Sequence, residues 1–327
     1  MRSLIGGVLV AAAVAGVTVA HAQGGAARVD YPVKAVRVVV GFPAGGPTDI
    51  LARLVAQKLS DAFTQQFVVD NRGGASGMIG AEMVAKAPPD GYTLLVVPAT
   101  HSVNPSLYKK MPFDTLRDFT AVSLLAEGPF VLVVHPSVPA QSVQELIALA
   151  RRHPGQLNYA SAGVGGLPHL AGELFKSLTG VRMTHIPYKG AAPATIDLVA
   201  GHVTIMFNNM LSAAPHVKSG RLRALAVTTA KRSGALPQTP TVAESGVKDY
   251  EVSGWYGVLG PANLAPEVLN RLNIEINRAM REPEVVKRLA GEGVDARAST
   301  ADEFAARIRR ESAKWAAVVK ASGATAE

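Results

Sequence analysis

Val36-Arg-Val-Val-Val-Gly-Phe-Pro-Ala-Gly-Gly-Pro-Thr-Asp49 sets the reading of this chain. A β-branched apolar run stops at a turn made almost wholly of Gly, Pro and Ala. Behind the turn Ile50, Leu51, Leu54, Val55 and Leu59 recur at helical spacing. The stretch therefore predicts strand, tight loop and helix, the helix running from Asp49 to Phe63. Such a loop has few side chains to keep a ligand away from its backbone amides. Those amides also lie at the positive end of the helix dipole. The turn can hold an anion without a lysine or arginine.

Working outward, the same device recurs. Phe67–Val69 runs into Asn71-Arg-Gly-Gly-Ala-Ser-Gly77 and a helix near Ile79–Ala87. Tyr92–Val97 runs into Pro98–Asn104, and Leu157–Ala160 into Ser161-Ala-Gly-Val-Gly-Gly166 and a further helix. Phe130–Val134, Thr184–Pro187, Val203–Phe207 and Ala224–Thr228 add strands. Ser142-Val-Gln-Glu145 and Thr300-Ala-Asp-Glu303 are capping boxes that open helices. The rhythm predicts a parallel sheet with helices on its faces, an α/β protein. In open sheets of that kind ligands bind beyond the carboxyl ends of the strands, where these loops lie.

Composition narrows the partners. Arg2, the uncharged run Leu4–Ala20 and Ala20-His21-Ala22 form a secretory leader pattern over residues 1–22, with cleavage before Gln23. About 300 residues remain, enough for two ordinary domains. The chain has no cysteine, which excludes disulfides and lipidation at that residue. Its formal charge of +8 is scattered, with no basic stripe carrying interleaved aromatics, so nucleic acid is not an expected partner. A mild positive field favours small anions. The histidines are dispersed without H-x-x-x-H spacing, so no metal or other cofactor is expected.

Some residues carry two readings. Asp49 either meets the helix N-terminus or bonds loop amides or a ligand ammonium. Trp255 either packs in the core or walls a cleft. Ser161, His169 and Asp197 are the residue types of a hydrolytic triad, which is recognised by geometry and not by order. Ser161, however, lies outside any G-x-S-x-G elbow and about two helical turns from His169. The chain reads as a non-enzyme, with a secreted Ser161/His169 hydrolase as the rival.

Taken together, Tyr31-Pro-x-Lys34, Gly41-Phe-Pro-Ala-Gly-Gly-x-x-Asp49, Asn71-Arg72 and Pro89-Asp-Gly-Tyr-Thr-Leu-Leu95 resemble the Bug family of extracytoplasmic solute receptors. So do Asn104-Pro-x-Leu-Tyr108, Pro154-Gly-x-Leu-Asn-Tyr-x-Ser-x-Gly163, His169-Leu-Ala171, Pro187-Tyr-Lys-Gly190, Leu222–Thr228 and Pro240–Gly246. These receptors are also called tripartite tricarboxylate transporter substrate-binding proteins. The resemblance implies a type II periplasmic-binding-protein fold: two α/β domains joined by two crossover strands, near Leu124–Val131 and Val252–Leu259, with a ligand cleft between them. Domain 1 would comprise 23–126 and 254–327, and domain 2 residues 127–253. The implied function is a periplasmic receptor for a small carboxylate (dicarboxylate, tricarboxylate, amino acid or aromatic acid).

The implied partners are membrane permease subunits or, alternatively, a sensor kinase, with the receptor a monomer. Carried over by position, Phe42, Pro43, Ala44, Gly46 and Asp49 form the first jaw, with Ser76, Gly77, Thr100 and His101 beside it. Here Gly73 and Ser76 replace a proline and a glycine common in the family's second loop. Ser161, Gly163, Gly165 and His169 form the opposing jaw, and Tyr188, Asn208 and Trp255 stand as walls.

Overall fold

β1 (Val36–Val40) is buried on both faces. Val36, Val38 and Val40 enter one apolar core and Val39 the other, the two-residue period of an interior strand. In the computed structural model, which describes residues 30–322, this strand seeds a layered α/β architecture. The leader at 1–22 lies outside the described residues.

The chain runs β1, α1 (Pro47–Phe63), β2 (Phe67–Asn71), α2 (Met78–Ala85), β3 (Thr93–Pro98) and α3 (Thr100–Leu107). Next come β4 (Phe119–Val134), α4 (Val143–Arg152), β5 (Asn158–Ser161), α5 (Leu167–Thr179), β6 (Thr184–Pro187) and α6 (Ala191–Ala200). Then follow β7 (Ile205–Asn209), α7 (Met210–Lys218), β8 (Arg223–Val227), β9 (Ser253–Pro261), α8 (Pro266–Arg281), α9 (Pro283–Gly291), β10 (Asp295–Ala296) and α10 (Ala301–Ser322).

The sheet order is β2-β1-β3-β9-β4-β7-β5-β6, with β8 and β10 also paired to β4. The expectation of a parallel sheet needs correcting, because the sheet is mixed. β1 is parallel to β2 and β3, and β5 to β6 and β7. The pairs β3–β9, β4–β9, β4–β7 and β4–β8 are antiparallel. The parallel groups are βα units; the antiparallel pairs all involve the two crossing strands, β4 and β9.

β4 is the connecting element. It is 16 residues long. Its first part pairs with β9, from Phe119↔Pro261 to Pro129↔Ser253, and its last part pairs with β7 and β8. Two register shifts, between Ala121 and Ser123 and between Leu124 and Ala126, interrupt the β4–β9 ladder. Such irregularities bend a strand and let it serve two differently oriented sheets. The sequence pattern marks Phe130–Val134 as a strand and the family resemblance a crossover near Leu124–Val131; β4 covers both and begins earlier, at Phe119.

Local signals explain the helix starts. Glu145 N–H donates to Ser142 Oγ at 3.2 Å, while Gln141 N–H donates to Glu145 Oε2 at 2.8 Å. Thr300 and Glu303 close a reciprocal box at 2.8 and 3.1 Å. Behind that box Phe304 lies edge-on to Trp255, with ring centroids 5.3 Å apart. This contact seats α10 on β9.

Gly257 makes the seat possible, since a Cβ at this position would lie 2.1 Å from the Phe304 ring. Gly257→Ala is expected to lower stability by about 1–3 kcal/mol through overpacking. Urea unfolding should show a reduced midpoint with an unchanged slope.

Candidate functional site

Five helices begin around one cavity. Its wall takes Gly46, Pro47 and Thr48 from the start of α1, Ala99 and Thr100 from α3, and Leu167 and Pro168 from α5. Ala191 comes from α6 and Asn209 from the residue preceding α7. The first-turn amides of a helix have no partner within it. None of the five N-cap residues, Gly46, Ala99, Gly166, Gly190 and Asn209, caps its helix with a side chain. Helix starts without side-chain caps, and the positive ends of five dipoles, thus border one space.

The rest of the wall is apolar: Phe42, Pro98, Phe130 and Ala162, with Gly254, Trp255 and Tyr256 from β9. No charged side chain is among the described residues that line it. The space measures about 40 Å³, room for a few water molecules. Tyr256 Oη donates to Asn209 Oδ1 at 2.7 Å, fixing which way that amide faces. Burial raises the Tyr256 phenol above its ordinary pKa, so it stays a donor. Trp255 is 1% exposed, and its buried Nε1 has no hydrogen-bond partner among the described residues.

A second, outer cavity of about 280 Å³ shares Phe42 and Ala162 with the first. Its other walls are Gly74–Gly77, Tyr108, Gly163, Val164 and Pro187–Lys189. Here loops from the two halves of the chain touch. Ser76 Oγ donates to the Val164 carbonyl at 2.8 Å, and Tyr108 Oη bonds Ser76 Oγ at 3.1 Å. Gly190 packs so closely on Pro43 that a Cβ there would lie 2.6 Å from Pro43 Cδ.

The residues expected from sequence separate into three groups. Phe42, Gly46, Thr100 and Trp255 line the inner cavity, and Phe42, Ser76, Gly77, Gly163 and Tyr188 the outer one. The others line neither. Pro43 instead meets Gly190, and Ala44 is exposed at the loop tip. Gly165 packs against Leu107. His101 is buried between Phe113 and Phe119, and burial lowers its pKa to about 4. Asn208 turns away to donate to Thr195 Oγ1 at 2.9 Å. Its neighbour Asn209, which the sequence reading missed, is the one at the wall. An Asn directly after an apolar run, before Met210 and Leu211, was the available N-cap signal.

Asp49 supports the first loop from behind. It is 2% exposed. Its Oδ2 accepts from Gly45 N–H and Arg53 Nε, each at 2.9 Å, and its Oδ1 accepts from Asn71 Nδ2 at 3.0 Å. Burial pushes this carboxyl up, but Arg53, the Gly45 amide and Asn71 outweigh it and hold the pKa below the ordinary value. With its oxygens engaged in this way, Asp49 is a brace.

Ser161 and His169 do not form a catalytic pair. The Ser161 hydroxyl is fully buried and meets His185 Nε2 at 2.6 Å, while His169 Nδ1 accepts the Gly165 N–H at 3.0 Å. Tyr188 Oη donates to Asp197 Oδ2 at 2.7 Å, which raises the Tyr188 pKa to about 12, burial being the larger cause. Among the described residues no group of three or more His, Cys, Asp or Glu side chains is placed to hold a metal. Nor is any helix there long and apolar enough to cross a membrane.

Residues 51–324 match the family described as "Tripartite tricarboxylate transporter family receptor". Protein BugT of Bordetella pertussis (strain Tohama I) is 38% identical over 90% of this chain and 91% of its own length. The solved structure of R. palustris Rpa4515 with adipate is 39% identical, with a TM-score of 0.88 over 90% of this chain and 99% of that one. MatC from Rhodopseudomonas palustris with bound malate is 31% identical, with a TM-score of 0.84 over 88% of this chain and 100% of that one.

Asp49→Ala is expected to cost about 1–3 kcal/mol, because it strands buried partners. The pH sign follows from the depressed carboxyl. Its contribution is present above the unfolded pKa of about 4 and is lost as pH falls through the lower folded value. Urea unfolding of both proteins across that range should show the difference shrinking in acid.

Proposed function

This chain belongs to the tripartite tricarboxylate transporter receptor family, and on that premise we propose that its cavities capture a small organic carboxylate. The protein is a solute receptor of the periplasmic-binding type and not an enzyme. The convergence of five uncapped helix starts on one uncharged cavity carries the reading of the ligand. A carboxylate has only acceptors, and this wall supplies donors. Thr48, Thr100, Asn209 and Trp255 offer polar side chains beside the amides.

The inner cavity suits the carboxylate head and its nearest carbons. The remainder of the ligand extends past Phe42 and Ala162 into the outer cavity, where Lys189 is the charged side chain at the wall. Micromolar binding corresponds to about −8 kcal/mol. A handful of charge-assisted hydrogen bonds, about 1.5–3 kcal/mol each, supplies that net of ordering costs.

The domain assignment joins this proposal. One lobe consists of 23–126 with 254–327, the other of 127–253, and the hinge lies where β4 and β9 pair at Glu127↔Trp255 and Gly128↔Gly254. In this reading the Ser76–Val164 bond latches the closed lobes. The ligand stabilises closure through contacts that it makes only there. The receptor acts as a monomer that delivers to permease subunits, a sensor kinase being the alternative. Residues 1–22 direct export to the periplasm and are removed before Gln23.

Adipate and malate, the ligands of two similar structures, are the first probes. One of them, or another small di- or tricarboxylate, is expected to raise the melting temperature. Saturation at 100 times the dissociation constant would add about 2.7 kcal/mol. Recovery of the carboxylate in altered form, or no shift across such acids, would refute the reading.

Gly163→Val is expected to abolish calorimetric binding with little loss of fold. Gly163 has a φ of +144°, and a Cβ there would lie 3.1 Å from Ser76 Oγ. Trp255→Phe removes the Nε1 donor to the ligand and should weaken binding about ten- to a hundredfold, the size of one lost charge-assisted bond.

A further inference from the structure

Behind the 161–166 loop lie two histidines that the binding reading leaves unused. His169 is in the first turn of α5 and His185 is on β6. Their rings stack with centroids 3.9 Å apart and planes 17° from parallel. Tyr159 stacks alongside, 5.0 Å from His185 and 6.5 Å from His169.

Each imidazole holds the loop at one point. Gly165 N–H donates to His169 Nδ1 at 3.0 Å. His185 Nε2 meets Ser161 Oγ at 2.6 Å, and Ser161 Oγ also accepts Gly163 N–H at 3.2 Å and donates to the Gly163 carbonyl at 2.9 Å. The Gly165 bond requires a lone pair on Nδ1, so His169 is neutral with its proton on Nε2, which lies 3.7 Å from Glu173 Oε1.

We propose that His169 and His185 are positioning residues for the binding loop: as a stacked neutral pair they set the 161–166 backbone against the cavities, and protonation of the pair unseats the loop and lowers ligand affinity. This rests on the receptor reading above. The charged and titratable groups facing the pair are Glu173 and Lys176 from α5 and Tyr159 from β5. Lys176 Nζ bonds both Glu173 oxygens at 2.8 and 2.9 Å, and Tyr159 Oη donates to Glu173 Oε1 at 2.5 Å. Glu173 is thus already engaged by a cation and a phenol, which limits its support for a second cation.

Burial lowers the pKa of both histidines, that of His185 to about 4 with His169 adding to the effect; Glu173 opposes the shift and Lys176 reinforces it. The neutral pair is favoured above the unfolded value of about 6.5, and its contribution is lost as pH falls through the lower folded values. A proton on His169 Nδ1 would face another donor, the Gly165 amide. A simple Coulomb account has the opposite sign, since a cation behind the loop attracts an anionic ligand.

Nitrogen-labelled histidine NMR on the full-length protein is the first test. Near neutral pH, His169 should carry its proton on Nε2. On acidification the Gly165 amide resonance should move in step with the histidine titration. His169→Asn keeps an acceptor close to the Nδ1 position without titrating, so in this variant the Gly165 resonance should stay in place. His169→Leu should displace it at every pH.

Adipate calorimetry is the second test. Both proteins experience the same protonation of adipate itself. From about pH 7 to about pH 4, the value to which burial lowers His185, the wild type should lose about tenfold more affinity than His169→Asn. A Gly165 amide that ignores the titration, or wild-type affinity that rises in acid relative to His169→Asn, would overturn the proposal. If neither adipate nor another small di- or tricarboxylate binds at any pH, the ligand reading fails, and the NMR result alone decides whether the histidines hold the loop; if another such acid binds, it replaces adipate in the calorimetry.

Discussion

An amide at the start of an α-helix has no carbonyl one turn back to receive it. This shortage organises the molecule. Five helices begin at one cavity without side-chain caps. The sheet topology explains how they converge. α1, α3, α5, α6 and α7 each follow a strand, and each starts within a few residues of that strand's carboxyl end. Within each group, β1 with β3 and β5 with β6 and β7, parallel strands aim those ends the same way. The antiparallel ladders through β9 and β4 set the two groups in opposite directions, so their loops approach the cavity from two sides. Burying so many donors has an energetic cost unless something accepts from them. The fold therefore carries a standing demand for an acceptor.

The two crossing strands explain how that demand is met from two sides. β4 and β9 run antiparallel through the middle of the sheet, and β9 contributes Gly254, Trp255 and Tyr256 to the cavity wall. Two register shifts bend β4 ahead of its pairing with β7 and β8. The face of β9 away from the ladder is filled by the Phe304 ring, for which Gly257 leaves room. The wall of the site and the packing of the last helix thus meet on one strand.

Much of this was legible in the sequence, and the failures have physical causes. The β1–loop–α1 unit was clear because β-branched residues, a Gly/Pro turn and helical periodicity all agreed. The capping boxes were equally clear. α6 and α7 went unread, because each is short and opens on Ala, Met or Leu with a proline inside the segment, so neither period nor cap stood out. Asn208 and Asn209 differ by one position on a strand, and strand parity sends one inward to Thr195 and the other to the wall. His101 was placed at the cleft by its position in the family pattern. Its aromatic neighbours Phe113 and Phe119 come from a distant segment that draws the ring into the core. Ser161 found His185 and not His169, since a strand pairing, Ala160↔Ile186, brings β5 and β6 together across the turn.

The uncharged lining of the inner cavity has a consequence for the setting in which the protein works. Attraction that depends on exposed lysines or arginines fades as dissolved ions accumulate, because the screening length shrinks to a few ångströms in brine. Donors enclosed by Phe42, Phe130 and Trp255 are shielded from that atmosphere. Salt then changes the screening of exposed charges far more than it changes the enclosed donors. A grip built from the polypeptide backbone would keep nearly the same strength across such changes.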